Sequence, residues 1–432
     1  MRMLSTAALK SAQTLCAASV FALCAASNAQ AATYFVDNSL AAASDKNAGV
    51  SASAPWATLK GVMAHKFVAG DVISFKTGTT YTGGLQLTLK GTAAAPITIN
   101  SYGSGPKPMI KGDPTYGSYV DSIELDNSQY VVVDGLSLTS TSQAGVNFYN
   151  TNYSVVRNSE VFGVGVGVNV LGQYNLVTGN NFHDLKMVVN NGTASNYGAE
   201  GVVVGAPNNE ISYNTCLRCI ADDNFFGTNG KMIELYGPVD NTYIHHNYVQ
   251  DSGGFLEGGV GTAQNVRVVY NVSLNNSVFL CIHYTGSFKY TGQTSFLVAN
   301  NTVVQTAVTN PANALNYIDK PPSSSSILII NNIMMIDKMA ALYSYDVPRQ
   351  NNIYYMTQST SHVLINWSNT LGTGEKIANP QFAKPSFPDL RIAATSPARG
   401  AALTSSVVGA VDFNRTPLPA SARDIGAYQY QP

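Results

Sequence analysis

A short apolar run followed by Asn recurs along the middle of the sequence, between about residues 130 and 332. Each run holds three or four apolar, often β-branched residues, a composition typical of β-strands. The runs end at Asn158, Asn180, Asn214, Asn247, Asn271, Asn301 and Asn332. The sequence intervals between successive members of this series are 22, 34, 33, 24, 30 and 31. A basal period of about 22–24 residues, lengthened by insertions of about ten, predicts a solenoid in which each insertion is a loop.

The strands of this solenoid are predicted to pair in parallel, because each coil presents a similar apolar strand to the next. No amphipathic run of a dozen residues separates them, which disfavours alternating strands and helices and a leucine-rich horseshoe. Asn tolerates left-handed backbone and would end each strand in a turn. Stacking would bring the Asn side chains into a column with the strand spacing of about 4.8 Å, and the amide of each Asn could then hydrogen-bond to the next one. The runner-up is a β-propeller or a β-sandwich, although propeller blades need a period of about 40 residues.

These features resemble the right-handed parallel β-helices of pectate lyases and their relatives, which carry an Asn ladder at such a turn. The opening of the chain, including segments 33–37 and 69–75, is similar to the N-terminal coils of alginate lyase and chondroitinase B relatives. The resemblance covers most of residues 33–432 and implies an all-β fold, a right-handed parallel β-helix with an N-terminal cap.

One domain is expected over residues 32–432, because a solenoid grows without splitting. The cap and first coils would occupy about 32–100, and a closing segment about 385–432. The stretch Trp56–Lys66 is the predicted cap helix, since the end of a solenoid exposes an apolar edge that needs cover.

The N-terminal segment 1–31 has the three-part pattern of a secretory signal peptide. Arg2 and Lys10 accompany an apolar stretch over about residues 14–26, and residues 29–31 read Ala-Gln-Ala. The apolar stretch is too short to span a membrane. We therefore expect a secreted protein, either extracellular or periplasmic.

The low charge of the chain limits the classes of partner that it is expected to bind. Charged residues make up 11% of the chain, against about 25% in a typical globular protein. Without Arg2 and Lys10 the 24 basic residues become 22 against 25 acidic ones, a net charge of −3. This offers no basic field for nucleic acid or an anionic membrane, so neither is expected as a partner, and we expect a monomer. The three remaining Cys residues, Cys216, Cys219 and Cys281, cannot all pair within the chain. A Cys216–Cys219 disulfide and buried thiols both stay open.

Acidic residues of the middle coils fall at matching positions when the coil Asn is used as a register mark. Glu234 precedes Asn247 by an interval of 13, and Glu257 precedes Asn271 by an interval of 14. The two Glu residues are 23 apart, which is one basal coil, so their α-carbons are expected to be neighbours on adjacent coils. The one-residue difference leaves open which faces they occupy, because side chains alternate along a strand.

Two further residues belong to this neighbourhood. Glu200 precedes Glu234 by an interval of 34, which matches the enlarged coil. His283 follows Glu257 by an interval of 26 and would extend the column. Both are candidates for the site, His283 as a catalytic residue and Glu200 as a substrate contact.

Paired carboxyl groups in a groove have two catalytic interpretations and one interpretation without a catalytic role. Carboxyls about 5–5.5 Å apart serve as nucleophile and acid/base in retaining glycosidases, and a pair about 6.5–9.5 Å apart serves inverting ones. Oxygen-rich clusters also bind Ca²⁺, which in lyases neutralises a uronate carboxylate. In pectate lyases of a related type paired Asp residues hold that ion, and Asp222–Asp223 weakly resemble such a pair. A solvated acidic face is the third interpretation.

Aromatic rings near the Glu pair favour a carbohydrate ligand, because amphipathic rings stack on the apolar faces of sugars. The insertion between Cys219 and Gly230 is a natural wall for a groove. For most single rings, packing in the core is the commoner role. As a group we expect substrate contacts from Phe225, Phe226, Tyr236, Phe255 and Tyr284.

The middle coils resemble the alginate lyase and chondroitinase B family in layout but lack its base. That family uses a Lys to abstract the α-proton and an Arg on the next strand. The corresponding stretches here, Gly258–Thr262 and Cys281–His283, contain neither, so those roles do not transfer. Lys231 could replace the base, because a desolvated Lys can have a lowered pKa.

The sequence therefore favours a secreted enzyme that degrades a polysaccharide in a groove on the β-helix. A glycosidase using Glu234 and Glu257 is slightly ahead of a Ca²⁺-dependent lyase with Lys231 as base. A non-catalytic glycan-binding β-helix is the alternative of another class, because a fold does not fix a function.

Overall fold

Short parallel strands stack into three long sheets, which confirms the predicted parallel β-helix. The computed structural model describes residues 30–115, 120–306, 314–337, 340–344, 347–357, 370–383, 389–404 and 409–432. Residues 1–29, which hold almost all of the predicted signal peptide, lie outside this set. Ala31–Pro432 form one compact unit. Within the described ranges, no helix is long and apolar enough to cross a membrane.

Successive coils contribute strands to three sheets, named A, B and C, and equivalent strands pair in parallel. Sheet A contains β1 (Thr33–Val36), β2 (Val72–Lys76), β5 (Ile97–Tyr102), β8 (Val131–Asp134), β11 (Val155–Arg157), β14 (Leu176–Thr178), β19 (Glu210–Ser212), β24 (Tyr243–His245), β27 (Ala263–Val269), β30 (Thr294–Ala299), β33 (Ile327–Ile330) and β36 (Arg349–Gln350). Sheet B contains β3 (Thr80–Thr82), β6 (Met109–Lys111), β9 (Ser137–Thr139), β12 (Glu160–Phe162), β15 (Asn181–His183), β20 (Thr215–Leu217), β25 (Tyr248–Gln250), β28 (Val272–Leu274), β31 (Thr302–Gln305), β34 (Ile333–Ile336), β37 (Ile353–Met356) and β38 (Lys376–Ile377). Sheet C contains β4 (Leu85–Leu87), β7 (Ile123–Asp126), β10 (Ala144–Tyr149), β13 (Val166–Leu171), β18 (Glu200–Val204), β23 (Lys231–Tyr236), β26 (Gly254–Gly259), β29 (Val278–Ile282), β32 (Ala314–Ile318) and β35 (Ala340–Ser344).

Two antiparallel hairpins are built from the longer loops. The first joins β16 (Met187–Val189) to β17 (Tyr197–Gly198). The second joins β21 (Ala221–Asp223) to β22 (Gly227–Asn229). Both follow a sheet B strand and precede the next sheet C strand, so they lie beside sheet C.

Apolar side chains fill the interior because they recur at the same strand position in successive coils. In sheet C one inward column consists of Val168, Val202, Ile233, Leu256 and Leu280. Each of them is buried, and burying such a side chain contributes about 1.5–3 kcal/mol. Because side chains alternate along a strand, residues beside this column are free to face outward.

The recurring Asn forms a buried ladder at the turn from sheet A to sheet B, as predicted. At each step the backbone N–H and the side-chain amide of one Asn donate to the side-chain oxygen of the next, at 2.9–3.1 Å. The members are Asn180, Asn214, Asn247, Asn271, Asn301, Asn332 and Asn352. Ser159 precedes them, donating its N–H to Asn180 at 3.0 Å. Asn158, the first residue of the predicted series, is therefore one position too early.

Left-handed backbone belongs to the residue before each ladder Asn, not to the Asn itself. The φ angle is +67° at Gly179, +55° at Tyr213, +57° at His246 and +53° at Tyr270. A side chain in this region costs about 1–2 kcal/mol, which the ladder hydrogen bonds offset. Asn is thus required at these turns for its amide rather than for its tolerance of a left-handed conformation.

The N-terminal cap contains a shorter helix than predicted. Helix α1 spans Leu59–Met63, and the Thr58 side chain caps it by accepting a hydrogen bond from the N–H of Lys60. Leu59 and Val62 are buried together with Trp56. The predicted range 56–66 therefore contains the helix, with Trp56 packing beside it.

The described residues of the C-terminal segment, 389–404 and 409–432, lie along the flank of the coils. We call them the C-terminal strap. Leu390, Ala427 and Tyr428 of the strap pack on sheet B residues such as Val272 and Val304. Farther along, the carbonyl of Asp412 accepts a hydrogen bond from His246 Nε2 at 2.9 Å. The predicted closing segment thus crosses several coils from outside.

Candidate active site

A groove of about 1310 Å³ crosses the outer face of sheet C. Its floor extends from β7 to β29, and its walls are the two hairpins and the loop after β29. The insertion predicted between Cys219 and Gly230 is the β21–β22 hairpin, which contributes Phe226 to the wall. The groove therefore lies where the longer coils add chain to one side of the stack.

Glu234 and Glu257 face this groove from adjacent coils. They are direct partners in the parallel pairing of β23 and β26, and both line the groove. The extra residue counted from the Asn ladder lies after Glu257, because Gly259 pairs with Tyr236 at an interval of 23, whereas Arg267 pairs with Tyr243 at an interval of 24. The one-residue difference therefore does not turn one Glu to the other face.

Glu257 is held as a carboxylate by two basic side chains. Its Oε2 lies 2.5 Å from Lys231 Nζ, and its Oε1 lies 2.9 Å from His283 Nε2. Burial alone would raise the pKa of Glu257, but Lys231 and His283 outweigh it and lower that pKa to about 2. Glu257 is consequently ionised throughout the ordinary pH range.

The pKa of Glu234 is shifted in the opposite direction. Within the part of the chain that the structure describes, its carboxyl group has no hydrogen-bond or ion-pair partner, so it is available to a ligand. Burial raises the pKa of Glu234; Lys231 opposes this, and the charge of Glu257 adds to it. Two adjacent carboxyls thus have pKa values pushed apart, the pattern of an acid beside an ionised partner.

Lys231 and Glu200 form the inner side of the site. Lys231 Nζ also lies 3.4 Å from Glu200 Oε1 and 2.9 Å from Asn229 Oδ1. Burial would lower the pKa of Lys231, but the carboxyls of Glu200, Glu257 and Glu234 raise it well above its ordinary value. Burial also raises the pKa of Glu200, against the effect of Lys231. Lys231 is therefore a protonated anchor, and Glu200, with 1% of its side chain exposed, supports it from below.

A glycine gives Lys231 the room to reach Glu257. Gly254 lies beside Lys231 on the next strand, and a Cβ on it would stand 3.3 Å from Lys231 Cγ. A larger residue at this position would press on the lysine stem and shift its amino group.

Two of the predicted aromatic contacts line the groove. Phe226 and Tyr236 do so with 55% and 54% exposure, respectively. Tyr236 stacks on Phe288, with ring centroids 5.7 Å apart and planes 27° apart. Phe225 is also exposed, but it packs edge-on against Phe226 outside the groove lining. The Tyr236–Phe288 pair is a suitable platform for the apolar face of a sugar.

The other two predicted aromatic contacts do not reach the groove. Phe255 is fully buried and packs against Phe279 in the core. Phe255 and the following Leu256 are both buried in the core, so the alternation of side chains fails at this point of β26. Tyr284 packs against the core beside Tyr290. The expectation of a substrate contact from Phe255 is wrong, and Tyr284 lies outside the groove lining.

Asp222 and Asp223, the predicted metal ligands, do not converge on one point. They are successive residues of β21, so their side chains point to opposite faces, and Asp222 is exposed whereas Asp223 is buried. The Asp223 carboxylate accepts hydrogen bonds from the N–H groups of Phe225 and Phe226. It also accepts from the side chains of Asn196 and Asn229. Asp223 thus fixes the second hairpin against the first.

The structure also places residues that the sequence analysis missed. Cys281, not His283, follows Glu257 in the strand column; His283 lies beyond the end of β29 and reaches back. The thiol of Cys281 is free, because Cys216 and Cys219 form a disulfide.

On the N-terminal side of Glu234 the groove floor carries a polar column. Asn147 and Asn169 pair in adjacent strands, and their side chains are joined by a 3.2 Å hydrogen bond. Their sequence separation is 22, so the spacing that located the Glu pair would have found them as well.

No protein-family model matches the sequence, and no curated protein matches it significantly. Solved structures do match. Pectate lyase Pel9A aligns with a TM-score of 0.62 at 17% identity, over 92% of this chain and 96% of that one. XylC in complex with xylose aligns with a TM-score of 0.55 at 10% identity, over 92% of this chain and 98% of that one. This chain is a parallel β-helix protein. At such low sequence identities, the similarity of this chain to Pel9A and XylC shows a shared fold and nothing more.

Proposed function

We propose that this β-helix protein is a secreted glycoside hydrolase acting on a neutral polysaccharide in the sheet C groove. The observation that carries the proposal is the in-register pair Glu234 and Glu257 in the groove. Burial raises the pKa of Glu234, whereas Lys231 and His283 lower the pKa of Glu257 against the effect of burial. The names of Pel9A and XylC refer to pectate and xylose, which supports a carbohydrate as the substrate class.

The register favours a retaining mechanism. In-register residues of adjacent parallel strands stand about 4.8 Å apart, close to the carboxyl separation of about 5–5.5 Å in retaining enzymes. Glu257 attacks the anomeric carbon while Glu234 donates its proton to the leaving oxygen. Glu234 then takes a proton from water, whose oxygen displaces Glu257 from the anomeric carbon. Lys231 and His283 act as positioning residues that keep Glu257 ionised.

Charge in the groove favours a neutral glycan over a polyuronate. Five acidic residues line it: Asp121, Glu124, Glu200, Glu234 and Glu257. Lys231 is the single Lys or Arg among the described residues of that lining. Such a groove repels a uronate polymer, and a protonated Lys231 is a poor base for β-elimination. Hydrolysis is therefore favoured over the lyase alternative.

The proposal is tested by incubating the protein with neutral polysaccharides such as xylan, mannan and galactan, and with pectate and alginate, with and without a chelator. We expect new reducing ends from at least one neutral polymer, insensitive to the chelator and without ultraviolet absorbance from unsaturated uronate. Chelator-sensitive absorbance on a polyuronate would instead identify a lyase. Binding to a glycan with no cleavage across the panel would identify a binding protein.

The pH dependence of kcat/KM follows from the two carboxyls. Activity requires Glu257 ionised and Glu234 protonated, so the acidic limb follows the pKa of Glu257, about 2. The alkaline limb follows Glu234, whose pKa is raised above the usual carboxyl value. Activity is therefore expected to be high in weakly acidic solution and to fall as Glu234 loses its proton. A rate that rises with pH through the titration of Glu234 would contradict this assignment.

In the variant Lys231→Met the acidic limb of the pH profile is expected to move to higher pH, because Glu257 loses the positive charge of Lys231 beside it.

A further inference from the structure

A thiol, an imidazole and a carboxylate converge on the C-terminal side of the Glu pair. Cys281 Sγ lies 3.3 Å from His283 Nε2, which lies 2.9 Å from Glu257 Oε1. These three atoms all lie within 4.8 Å of one another, the one such group of three found among the described residues. Hydrolysis by the Glu pair gives the thiol no part in the reaction.

The separations suit a shared cation. Zn²⁺ bonds to sulfur at about 2.3 Å and to nitrogen or oxygen at about 2.0–2.2 Å, so ligand atoms of a tetrahedral site stand about 3.3–3.6 Å apart. Small side-chain rotations would bring the three atoms to that spacing. A set of thiolate, imidazole and carboxylate also selects a borderline-soft ion such as Zn²⁺ over Ca²⁺ or Mg²⁺.

A carboxylate stands behind the imidazole, as is usual for histidine ligands of zinc. Asp319 Oδ2 lies 3.7 Å from His283 Nδ1. The Asp319 carboxylate is itself fixed by the N–H groups of Tyr284 and Thr285 and by the Thr285 hydroxyl. With its proton on Nδ1, facing Asp319, the ring would present the lone pair of Nε2 to a metal.

We propose that Cys281, His283 and Glu257 bind a thiophilic divalent cation of the Zn²⁺ type, with the fourth position open to the groove. Binding breaks the S–H bond of Cys281 and releases its proton to solvent, because the thiolate is the ligand. Glu257 exchanges its hydrogen bond to His283 for the metal through Oε1 and keeps Lys231 on Oε2. Since Glu257 is also the nucleophile of the proposed function, a bound cation would inhibit hydrolysis; this consequence alone rests on that function.

Metal binding is measured on the full chain without substrate, using Cd²⁺ because its thiolate complexes absorb in the ultraviolet. We expect saturation of a charge-transfer band attributable to Cys281, competition by Zn²⁺, and loss of that band in Cys281→Ser. In His283→Gln the Cd²⁺ affinity is expected to fall at least about tenfold, by analogy with the effects of disturbing a ligand shell. Asp222→Asn serves as the control, and its Cd²⁺ affinity should equal that of the unmodified protein.

Two results would overturn the site. One is an unchanged band in Cys281→Ser, and the other is an unchanged affinity in His283→Gln, which would indicate a lone thiol adduct. Circular dichroism checks the fold of each variant, and His283→Gln keeps the thiol, so the two variants test the site independently. If Cd²⁺ binds as expected but Zn²⁺ leaves a measured hydrolysis rate unchanged, the metal site stands and Glu257 is not the nucleophile.

Discussion

Glu257→Gln is expected to lower kcat on a cleaved glycan by about 10⁴-fold or more, as removal of a nucleophile does in other hydrolases. The amide that replaces the Glu257 carboxylate is neutral and cannot form the glycosyl ester.

Glu234→Gln is expected to lower kcat by about 10²–10⁴-fold through loss of general acid catalysis. On an aryl glycoside with a good leaving group the Glu234→Gln loss should shrink, because that leaving group needs no proton.

The control for both variants is Glu160→Gln. Glu160 lies on sheet B, where it contacts His183, and it is not part of the groove lining. Its kcat should stay within a few-fold of the parent value. Full activity in both Glu234→Gln and Glu257→Gln would refute the paired-carboxyl mechanism, whatever glycan is cleaved.

Asn271→Ala is expected to lower the free energy of unfolding by about 3 kcal/mol or more, since each buried polar group left unpaired costs about 1–3 kcal/mol. The Asn271 side chain donates to the carbonyls of Ile244 and Val269 and to Asn301 Oδ1. Its oxygen accepts both the backbone N–H and the side-chain amide of Asn247. Removing the amide would leave several of these buried groups unpaired.

Denaturant unfolding of Asn271→Ala is compared with that of Gln264→Ala, an exposed amide side chain in the same coil. The control should change the free energy of unfolding by less than about 0.5 kcal/mol, as surface substitutions usually do. Equal effects of the two substitutions would show that the ladder contributes little to stability.

The sequence reveals the coil repeat because one residue type serves one turn in every coil. The ladder Asn supplies a backbone-like acceptor and two donors, which Ala, Leu or Ser cannot reproduce in full, so the residue recurs and marks the register. In the coil where Ser159 takes the ladder position, the nearest Asn is Asn158, so the predicted register is wrong by one residue there. The left-handed residue before the mark varies among Gly, Tyr, His and Asn, so it carries no comparable signal.

The same register mark locates Glu234 and Glu257, because both lie in the regular part of adjacent coils. It fails for Phe288 and Asp319, which lie at loops whose lengths differ from coil to coil. Phe255 shows a second limit. Strict alternation places it outward with Glu257, but Phe255 is buried in the core together with its neighbour Leu256.

The protonation state of Lys231 depends on which neighbours surround it in space. Desolvation alone favours the neutral amine, which is the basis for expecting a catalytic base. Three carboxyls from three successive coils reverse that sign. Glu200 and Lys231 have a sequence separation of 31, yet they are paired across β18 and β23, so only the folded coil reveals the effect of Glu200.

The C-terminal strap changes how this stacked-coil protein is expected to unfold. In most solenoids each repeat contacts only its neighbours, so stability behaves like a one-dimensional chain that frays from its ends. Here His246 is bonded to Asp412, 166 residues later, and Asn300 to Asp424, 124 residues later. Those coils cannot open singly without first detaching the strap. His246 lies in the coil of Glu234, and Asn300 lies in the coil after that of Glu257. The strap therefore joins these coils into one cooperative unfolding unit that includes the candidate site.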